Sequence, residues 1–378
     1  MQFIPILAMV SNICIFVVGS CAEVKFKDFT FTAGPVSIKP KVGLNFNYDD
    51  NVFDFSVPVA DFISRCSAGI EIKGKLSKVD LLLSPGVQYV FFARNSSLNY
   101  DDKRFLTSAS VFLHNMSMEY KYEYNENTHP TTYTESFVKE SYKNNGILLR
   151  YKFYYFALGA AYNTSLTERG TFWESNKAEV YALLLYLGML YEKNIVLSVE
   201  SGRNEWSVSY GRNCNIKKFL FSMDGKITYK ISGNVKFGYT MYDYKEIKDW
   251  SGFVLLCSLV WDLIEGDKIM LSLRHSIYES FYSRENYYIT KNIRCDLCKT
   301  LGTRFLVKPY VELAVDDYPV PPYPKRVDNI IKSGFEASLK VKLFRSIGVR
   351  YSIISRSSTI KEYNFVTSSV SFFLSSLF

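Results

Sequence analysis

Residues 36–48 read VSIKPKVGLNFNY, and this stretch indicates the class of fold. Its even-numbered positions, from Val36 to Tyr48, are all apolar, whereas the odd-numbered positions carry Ser, Lys, Gly or Asn. Side chains alternate between the two faces of a β-strand with a period of two. The stretch therefore predicts a strand with one apolar and one polar face.

The same alternation recurs along the chain, most clearly in 116–124, 226–241, 305–315 and 331–343. We count eighteen such segments, and sixteen is the next best count because alternation is poor between 177 and 210. The predicted strands are 36–49, 65–75, 78–94, 103–113, 116–125, 145–153, 155–168, 177–191, 195–210, 215–223, 226–243, 250–263, 267–279, 286–300, 303–316, 328–344, 346–357 and 364–378. Asp224-Gly225 is the strongest predicted hairpin turn, because Asp-Gly suits the positive φ angles of a two-residue turn.

A soluble sandwich also alternates in this way, so other features must select the architecture. Many segments reach about ten residues, the length with which a tilted strand crosses a bilayer. The chain is rich in aromatic residues, with 29 Tyr and 29 Phe, as interface girdles require. We predict an all-β fold, a single antiparallel transmembrane β-barrel of about eighteen strands, over 36–378.

The two ends of the chain carry export signals. Residues 1–22 form an apolar stretch that ends in small residues, which predicts a secretory signal peptide. Cys21 is either removed with this peptide or retained as a lipidated residue. Residues 23–35 are predicted to be a short N-terminal periplasmic segment. The last segment ends in Phe378, which we interpret as the insertion signal that the barrel-assembly machinery recognises.

With these features, the chain resembles the outer-membrane β-barrel porins, specifically the second bacterial family of that name. The resemblance rests on Tyr48-Asp49-Asp50-Asn51-Val52-Phe53, Ser84-Pro85-Gly86, Trp250-Ser251-Gly252, Arg326, Asp328, Tyr351, Ser357-Ser358, Tyr363 and the final strand. It implies a bacterial outer-membrane barrel with membrane lipid as its surroundings. Some members are associated with exopolysaccharide or capsule export, so export components are expected partners. The family implies no catalytic activity, and the mature cysteines depart from its pattern.

Motifs that could carry chemistry have simpler interpretations. Cys295 and Cys298 have redox or zinc spacing, but residues three apart on a strand point to opposite faces. His275 and Ser276 are adjacent on a strand, so they cannot form a nucleophile–base pair. Asp49-Asp50 and Asp316-Asp317 offer oxygen ligands for calcium, but acidic pairs are common in solvated turns. We therefore predict no enzyme, no cofactor and no metal site. The scattered basic residues do not form a nucleic-acid arm.

The polar faces of the strands carry more basic than acidic residues, in line with the net charge of +8. If these faces line a lumen, the surplus charge lies inside it. The basic pore-lining candidates are Arg274, Lys308, Lys332, Lys340, Lys342 and Arg350. We predict that Lys332, Lys340 and Lys342 share one face of a strand flanked by those of Lys308 and Arg350. Such a wall would favour anionic solutes, although opposite charges on neighbouring strands can also pair structurally.

Three functional hypotheses follow from the sequence. The first is a passive or export pore with a basic lumen. The second is a non-conducting structural or surface-interaction barrel, closed by its side chains and by residues 23–35. The third is a secreted soluble β-protein, in which Asn95, Asn115 and Asn163 would be glycan acceptors in a eukaryotic source. The sequence does not identify the solute.

Overall fold

The computed structural model describes residues 24–377 except 28–29, 55, 132–135, 155, 170–173, 191–192, 208–212, 246–248, 264–266, 280–286, 320–324 and 342–345. The predicted signal peptide and Phe378 lie outside the described residues. The described part contains two short 3-10 helices, Ser96–Leu98 and Lys361–Tyr363. No helix in it is long and apolar enough to cross a membrane.

Nearly all of the described chain is β-strand. The strands are β1 (Val24–Lys27), β2 (Thr30–Ala33), β3 (Val36–Asp49), β4 (Asp61–Leu76), β5 (Val79–Phe92), β6 (Tyr100–Leu113), β7 (Met116–Thr131), β8 (Ser136–Lys152), β9 (Phe156–Arg169), β10 (Glu174–Leu190), β11 (Lys193–Trp206), β12 (Cys214–Lys226), β13 (Ile231–Tyr244), β14 (Trp250–Asp262), β15 (Lys268–Glu279), β16 (Tyr287–Leu301), β17 (Phe305–Tyr318), β18 (Arg326–Leu339), β19 (Ser346–Ser358) and β20 (Phe365–Leu377).

Strands β3 to β20 form a closed antiparallel barrel of eighteen strands, which confirms the predicted fold and the higher count. Each strand pairs with the next, and β20 closes the ring on β3 from Ser369↔Asp49 to Leu377↔Lys41. The segment predicted to be periplasmic contains β1 and β2, which pair with each other. β2 then pairs with the start of β3 through Phe31↔Ile38, on the same edge as β20.

The alternation sorts side chains between the outside and the lumen as predicted. Val42, Leu44 and Phe46 of β3 are exposed on the outer face, whereas Asn47 of the inner face is buried. Exposed apolar side chains recur at alternate positions on other strands, including Phe253 and Trp261 of β14. A closed barrel with an apolar outer belt satisfies every backbone hydrogen bond within the ring, which is the condition for strands to span a bilayer.

Several predicted strand boundaries are wrong. β7 ends at Thr131 and not at 125, β8 begins at Ser136 and not at 145, and β13 begins at Ile231 and not at 226. β18 ends at Leu339 and not at 344, so Lys340 lies in the following turn and Lys342 lies outside the described residues. The apolar and polar alternation continues past Leu339, but the chain must reverse there to begin β19 at Ser346. The three lysines therefore do not share one strand face, and only Lys332 lies on β18.

The Asp224-Gly225 turn is also wrong, because β12 runs through both residues to Lys226. Gly225 pairs with Gly233, which lies inside β13. The turn is formed one step later by 227–230. There the hydroxyl of Thr228 accepts hydrogen bonds from the backbone N–H of Lys230 (3.3 Å) and Ile231 (3.0 Å). The side-chain hydrogen bonds of Thr228 therefore stabilise a turn at 227–230, and no Asp-Gly turn is needed.

The two ends of the barrel differ in their connections. At the end where β3 begins, neighbouring strands are joined by short turns, such as the two-residue turns 77–78 and 114–115. At the opposite end the connections are mostly longer, and the longest is 50–60. We call these the short-turn end and the loop end.

Candidate functional site

The first connection at the loop end, 50–60, turns inward. Its start is held to β20 across the seam of the barrel. The backbone N–H (2.7 Å) and the hydroxyl of Ser368 donate to the Asp50 carboxylate. The hydroxyl of Thr367 donates to the carboxylates of Asp49 (3.1 Å) and Asp50 (3.2 Å). Hydrogen bonds from Ser368 and Thr367 hold the pKa of Asp50 below its ordinary value, against desolvation, which would raise it.

A tight turn then points the loop into the lumen. The backbone N–H of Asn51 donates to Asp49 Oδ1 (3.0 Å), and that of Asp54 donates to the carbonyl of Asn51 (3.1 Å). Asp54 has a φ of 52°, in the left-handed region. Asp tolerates this conformation better than most residues, so Asp54 suits this position in the turn.

Apolar residues of the loop bury themselves inside the barrel. Val52 and Phe53 form one cluster with Ile63 of β4 and with Val90 and Phe92 of β5. The last three lie on the inner face, since Phe62 and Phe91 beside them are exposed outward. The free energy of burying apolar surface, roughly 25 cal/mol per Å², therefore holds the loop in the lumen.

Asp54 extends from this cluster towards the opposite side of the seam. Burial raises the pKa of its carboxyl to about 6, with a further increase from Asp49. Arg356 and Lys332, which lower it, act from the inner faces of β19 and β18. The inserted loop thus places a carboxyl group within electrostatic reach of a basic part of the wall.

Behind that wall lies a fully buried ion pair on the inner face. Arg326 Nε and Nη2 donate to Asp328, with a shortest distance of 2.6 Å, and both side chains are at most 2% exposed. The rings of Tyr318 and Tyr363 lie 4.4 and 3.5 Å from the Arg326 guanidinium carbon. Arg356 approaches Asp328 to 3.8 Å. Charge pairing and cation–π contacts together compensate the desolvated guanidinium.

Elsewhere on the lumen wall, one carboxylate repeatedly lies between two cations. Three groups share this pattern, and we call them the cation–carboxylate triads. They are Lys41–Glu71–Lys73 (2.7 and 2.7 Å), Lys218–Glu200–Lys236 (3.6 and 3.7 Å) and Lys308–Glu336–Arg350 (3.6 and 2.6 Å). Each triad joins neighbouring strands and retains one formal positive charge.

A fourth network is balanced. Glu312 accepts from Asn292 (2.8 Å) and Arg294 (3.4 Å) and lies 3.2 Å from Lys332. Arg294 also donates to Asp296 at 2.6 Å. The predicted structural pairing of lumen charges is therefore present at Lys332, Lys308 and Arg350.

The other predicted candidates are more scattered. Arg274 is exposed on β15, in register with Leu256 and Asn292. Lys340 is exposed beyond β18, where its backbone N–H donates to the carbonyl of Arg304 (2.9 Å).

The sequence analysis missed several residues that build the wall. Arg326, Asp328 and Arg356 have the parity of Lys332 and Arg350 on the same two strands. Extending each alternation to the strand ends would have found them. Nothing in the pattern of 50–60 signalled that this loop enters the lumen.

The dismissed chemical motifs stay apart. His275 occupies an outward position of β15 and Ser276 an inward one, and the serine hydroxyl donates to the carbonyl of Ile277. Five cysteines in the described chain are free thiols, among them Cys295 and Cys298. No group of three or more potential metal-ligating side chains occurs within the described ranges.

Comparison with solved structures places this geometry among outer-membrane channels. The BenF-like porin of Pseudomonas fluorescens Pf-5 has a TM-score of 0.55 at 9% identity, covering 90% of this chain and 99% of that one. Pseudomonas aeruginosa OpdK with vanillate has a TM-score of 0.54 at 8% identity, covering 89% and 98%. Acinetobacter baumannii OccAB4 has a TM-score of 0.53 at 10% identity, covering 90% and 98%.

The fold is that of an outer-membrane porin. The predicted barrel is thereby confirmed at the level of the fold. Neither a family model nor a curated protein matches the chain by sequence. In this porin fold, the inserted loop and the charged wall form the candidate site.

Proposed function

We propose that the chain is an outer-membrane pore that favours anionic solutes. The observation that carries this proposal is the set of three cation–carboxylate triads on the lumen wall. Each triad pairs its carboxylate fully and still leaves a positive charge towards the lumen. A pore whose wall has a basic surplus concentrates anions and repels cations.

The triads surround the lumen and do not form one patch. One joins β3 and β4, one joins β11 to β13, and one joins β17 to β19. In a ring of eighteen strands, β12 lies opposite β3. A solute in the lumen therefore meets positive charge from more than one side. In 0.1 M salt, screening limits the reach of these charges to about 10 Å.

The inserted loop supports the second hypothesis, a barrel closed by its own residues. Val52 and Phe53 fill lumen space next to β4 and β5. Conductance of the purified protein in a planar bilayer separates the two hypotheses. Discrete channels support the pore, whereas the absence of any conductance across pH and voltage supports the structural barrel.

Selectivity tests the charge argument. We expect the triple variant Lys41→Gln, Lys236→Gln, Lys308→Gln to lose most of the anion preference, because it removes the surplus and leaves each glutamate with one cation. The measurement is the reversal potential in a KCl gradient. The matched control removes three outward lysines that are paired near the loop end, Lys103, Lys143 and Lys177. A cation-selective native pore, or equal loss in both triple variants, contradicts the proposal.

The inserted loop should respond to pH through Asp54. With a pKa of about 6 in the lumen against 3.8 in water, Asp54 favours insertion when protonated. Insertion of the loop therefore becomes less favourable as pH rises from about 4 to 6, by a total on the order of 3 kcal/mol. We therefore expect conductance to be lower at pH 5 than at pH 8.

The variant Asp54→Asn should be at least as closed at pH 8 as the native protein is at pH 5, because an asparagine loses no insertion free energy as pH rises. Asp262→Asn is the control, because Asp262 forms an exposed ion pair with Lys268 (3.0 Å) at the short-turn end. Unchanged pH dependence in Asp54→Asn would remove Asp54 from the explanation.

The solute class follows from the same charges. Small carboxylates are suitable first test solutes, since the OpdK structure contains vanillate, which is a carboxylate. Export of an acidic polysaccharide, which the family resemblance implies, stays a prediction. It requires the loop to leave the lumen, because a polymer needs a continuous path.

A further inference from the structure

The described residues of the barrel form shallow grooves on its outer face, and one of them differs in chemistry from two others. The outward side chains of a groove over β9–β13 are all apolar, among them Leu183 and Phe219. The same holds for a groove over β3 and β17–β20, with Leu44 and Phe372. The third groove, over β14–β18, also includes the outward side chains of His275, Lys291 and Asn329.

The strand register arranges this groove in two rows. One row runs His275↔Lys291↔Val315↔Asn329 across β15 to β18. The next outward row towards the short-turn end is entirely apolar. It consists of Leu273, Ile293, Leu313 and Ile331. The groove of about 550 Å³ therefore has an apolar floor and a polar, cationic edge.

On β17 the polar row lies at the edge of the apolar belt. On β17 the outward residues from Phe305 to Val315 are apolar, and the next outward residue is Asp317. Ten steps of about 3.4 Å at a tilt of about 40° rise about 26 Å, close to the belt of about 25 Å of such barrels. On β15 and β16 the apolar run continues one outward row further, to Ile277↔Ile289, so His275 and Lys291 lie just inside the loop-end edge of the belt. From there the long Lys291 side chain can extend its ammonium group to the headgroups.

Lys291 is exposed at this level. Among the described residues, no carboxylate lies within ion-pair distance of its ammonium group. Asp317, two residues further along the outer face of β17, pairs with Lys325 (3.3 Å). An ammonium group beside an imidazole offers several hydrogen-bond donors to one anionic group.

We propose that this groove binds a phosphorylated lipid A group of lipopolysaccharide. Its phosphate is held by Lys291 and its register partner His275, and an acyl chain lies along the apolar row. The proposal rests on the proposed function for its orientation, because short turns are periplasmic in such barrels and the loop end then faces the lipopolysaccharide leaflet.

The test uses the full-length barrel purified in detergent, with lipid retention measured by native mass spectrometry. Lipid A is the probe. We expect Lys291→Gln to reduce lipid A retention about tenfold relative to the native barrel, because it loses a charge-assisted contact. The control Lys177→Gln removes an outward lysine that is paired with Glu179 far from the groove, and it should bind like the native protein.

Further arms identify the recognised group. The native barrel should retain dephosphorylated lipid A only weakly. This retention should equal that of intact lipid A by Lys291→Gln. Equal retention of phosphatidylglycerol and lipid A by the native barrel overturns the assignment to lipopolysaccharide. Equal retention of lipid A by Lys291→Gln and native protein overturns the site.

Heat-modifiability on gels shows whether each variant is folded. If Lys291→Gln is not folded, His275→Gln takes its place in the test. Bilayer conductance of the same samples keeps the two proposals separate. A native barrel that binds lipid A but does not conduct rejects the pore and leaves this site in place.

Discussion

Replacing Asp328 by asparagine is expected to lower the free energy of unfolding by about 3–5 kcal/mol, the largest effect we predict. Asp328 is fully buried and is the ion-pair partner of Arg326, which is 2% exposed. Without the carboxylate, the guanidinium stays desolvated between Tyr318 and Tyr363 and loses the negative charge of Asp328. Urea unfolding in detergent or lipid, followed by tryptophan fluorescence, measures the loss.

Two further variants test the cause. Glu179→Gln breaks the exposed Lys177–Glu179 pair and should cost less than about 1 kcal/mol. The double variant Arg326→Met, Asp328→Leu removes both charges together, and it should recover most of the stability lost in Asp328→Asn. If the double variant is as unstable as the single one, lost packing and not an unpaired charge explains the effect.

The second large effect concerns the two faces of β14. Cys257 and Ser258 are adjacent and similar in size, but Cys257 has the outward parity of Phe253 and Trp261. We expect Cys257→Arg to cost about 2–4 kcal/mol, because it places a charge against the lipid near the middle of the belt. Ser258→Arg points into the lumen beside Asn234 and Ser272 and should cost far less.

Unfolding in lipid vesicles and heat-modifiability on gels measure this pair of variants. Equal stability would contradict the assignment of the outer face to lipid, and a larger loss in Ser258→Arg would reverse the two faces. The comparison needs no assumption about conductance, so it tests the barrel independently of the proposed pore.

Much of the architecture was predictable from residues such as 36–48. Alternation is a local property, because consecutive side chains on a strand point in opposite directions wherever the strand lies. Apolar side chains then face the lipid and polar side chains face the lumen. Each of the eighteen strands could therefore be located separately from its own alternation. Strand ends were less predictable. Lys340 continues the pattern of β18 beyond Leu339, and only the need to reverse the chain ends the strand.

The candidate site was predictable only in its residue types. Lys308, Lys332 and Arg350 were assigned to the inner face from parity alone, and they lie there. Their partners depend on register, since Glu336 contacts both Lys308 and Arg350 only because three strands align them. The supposed basic wall is therefore a set of paired charges with a smaller surplus.

The sequence by itself determined the alternating strands, their approximate number and the sign of the charge on the polar faces, because each depends on neighbouring residues. Only the tertiary structure decided where the loop 50–60 lies. Its anchor joins Asp50 to Thr367 and Ser368, 317 and 318 residues further along the chain. Contacts over that separation form when the barrel closes β20 on β3, and no local pattern encodes them.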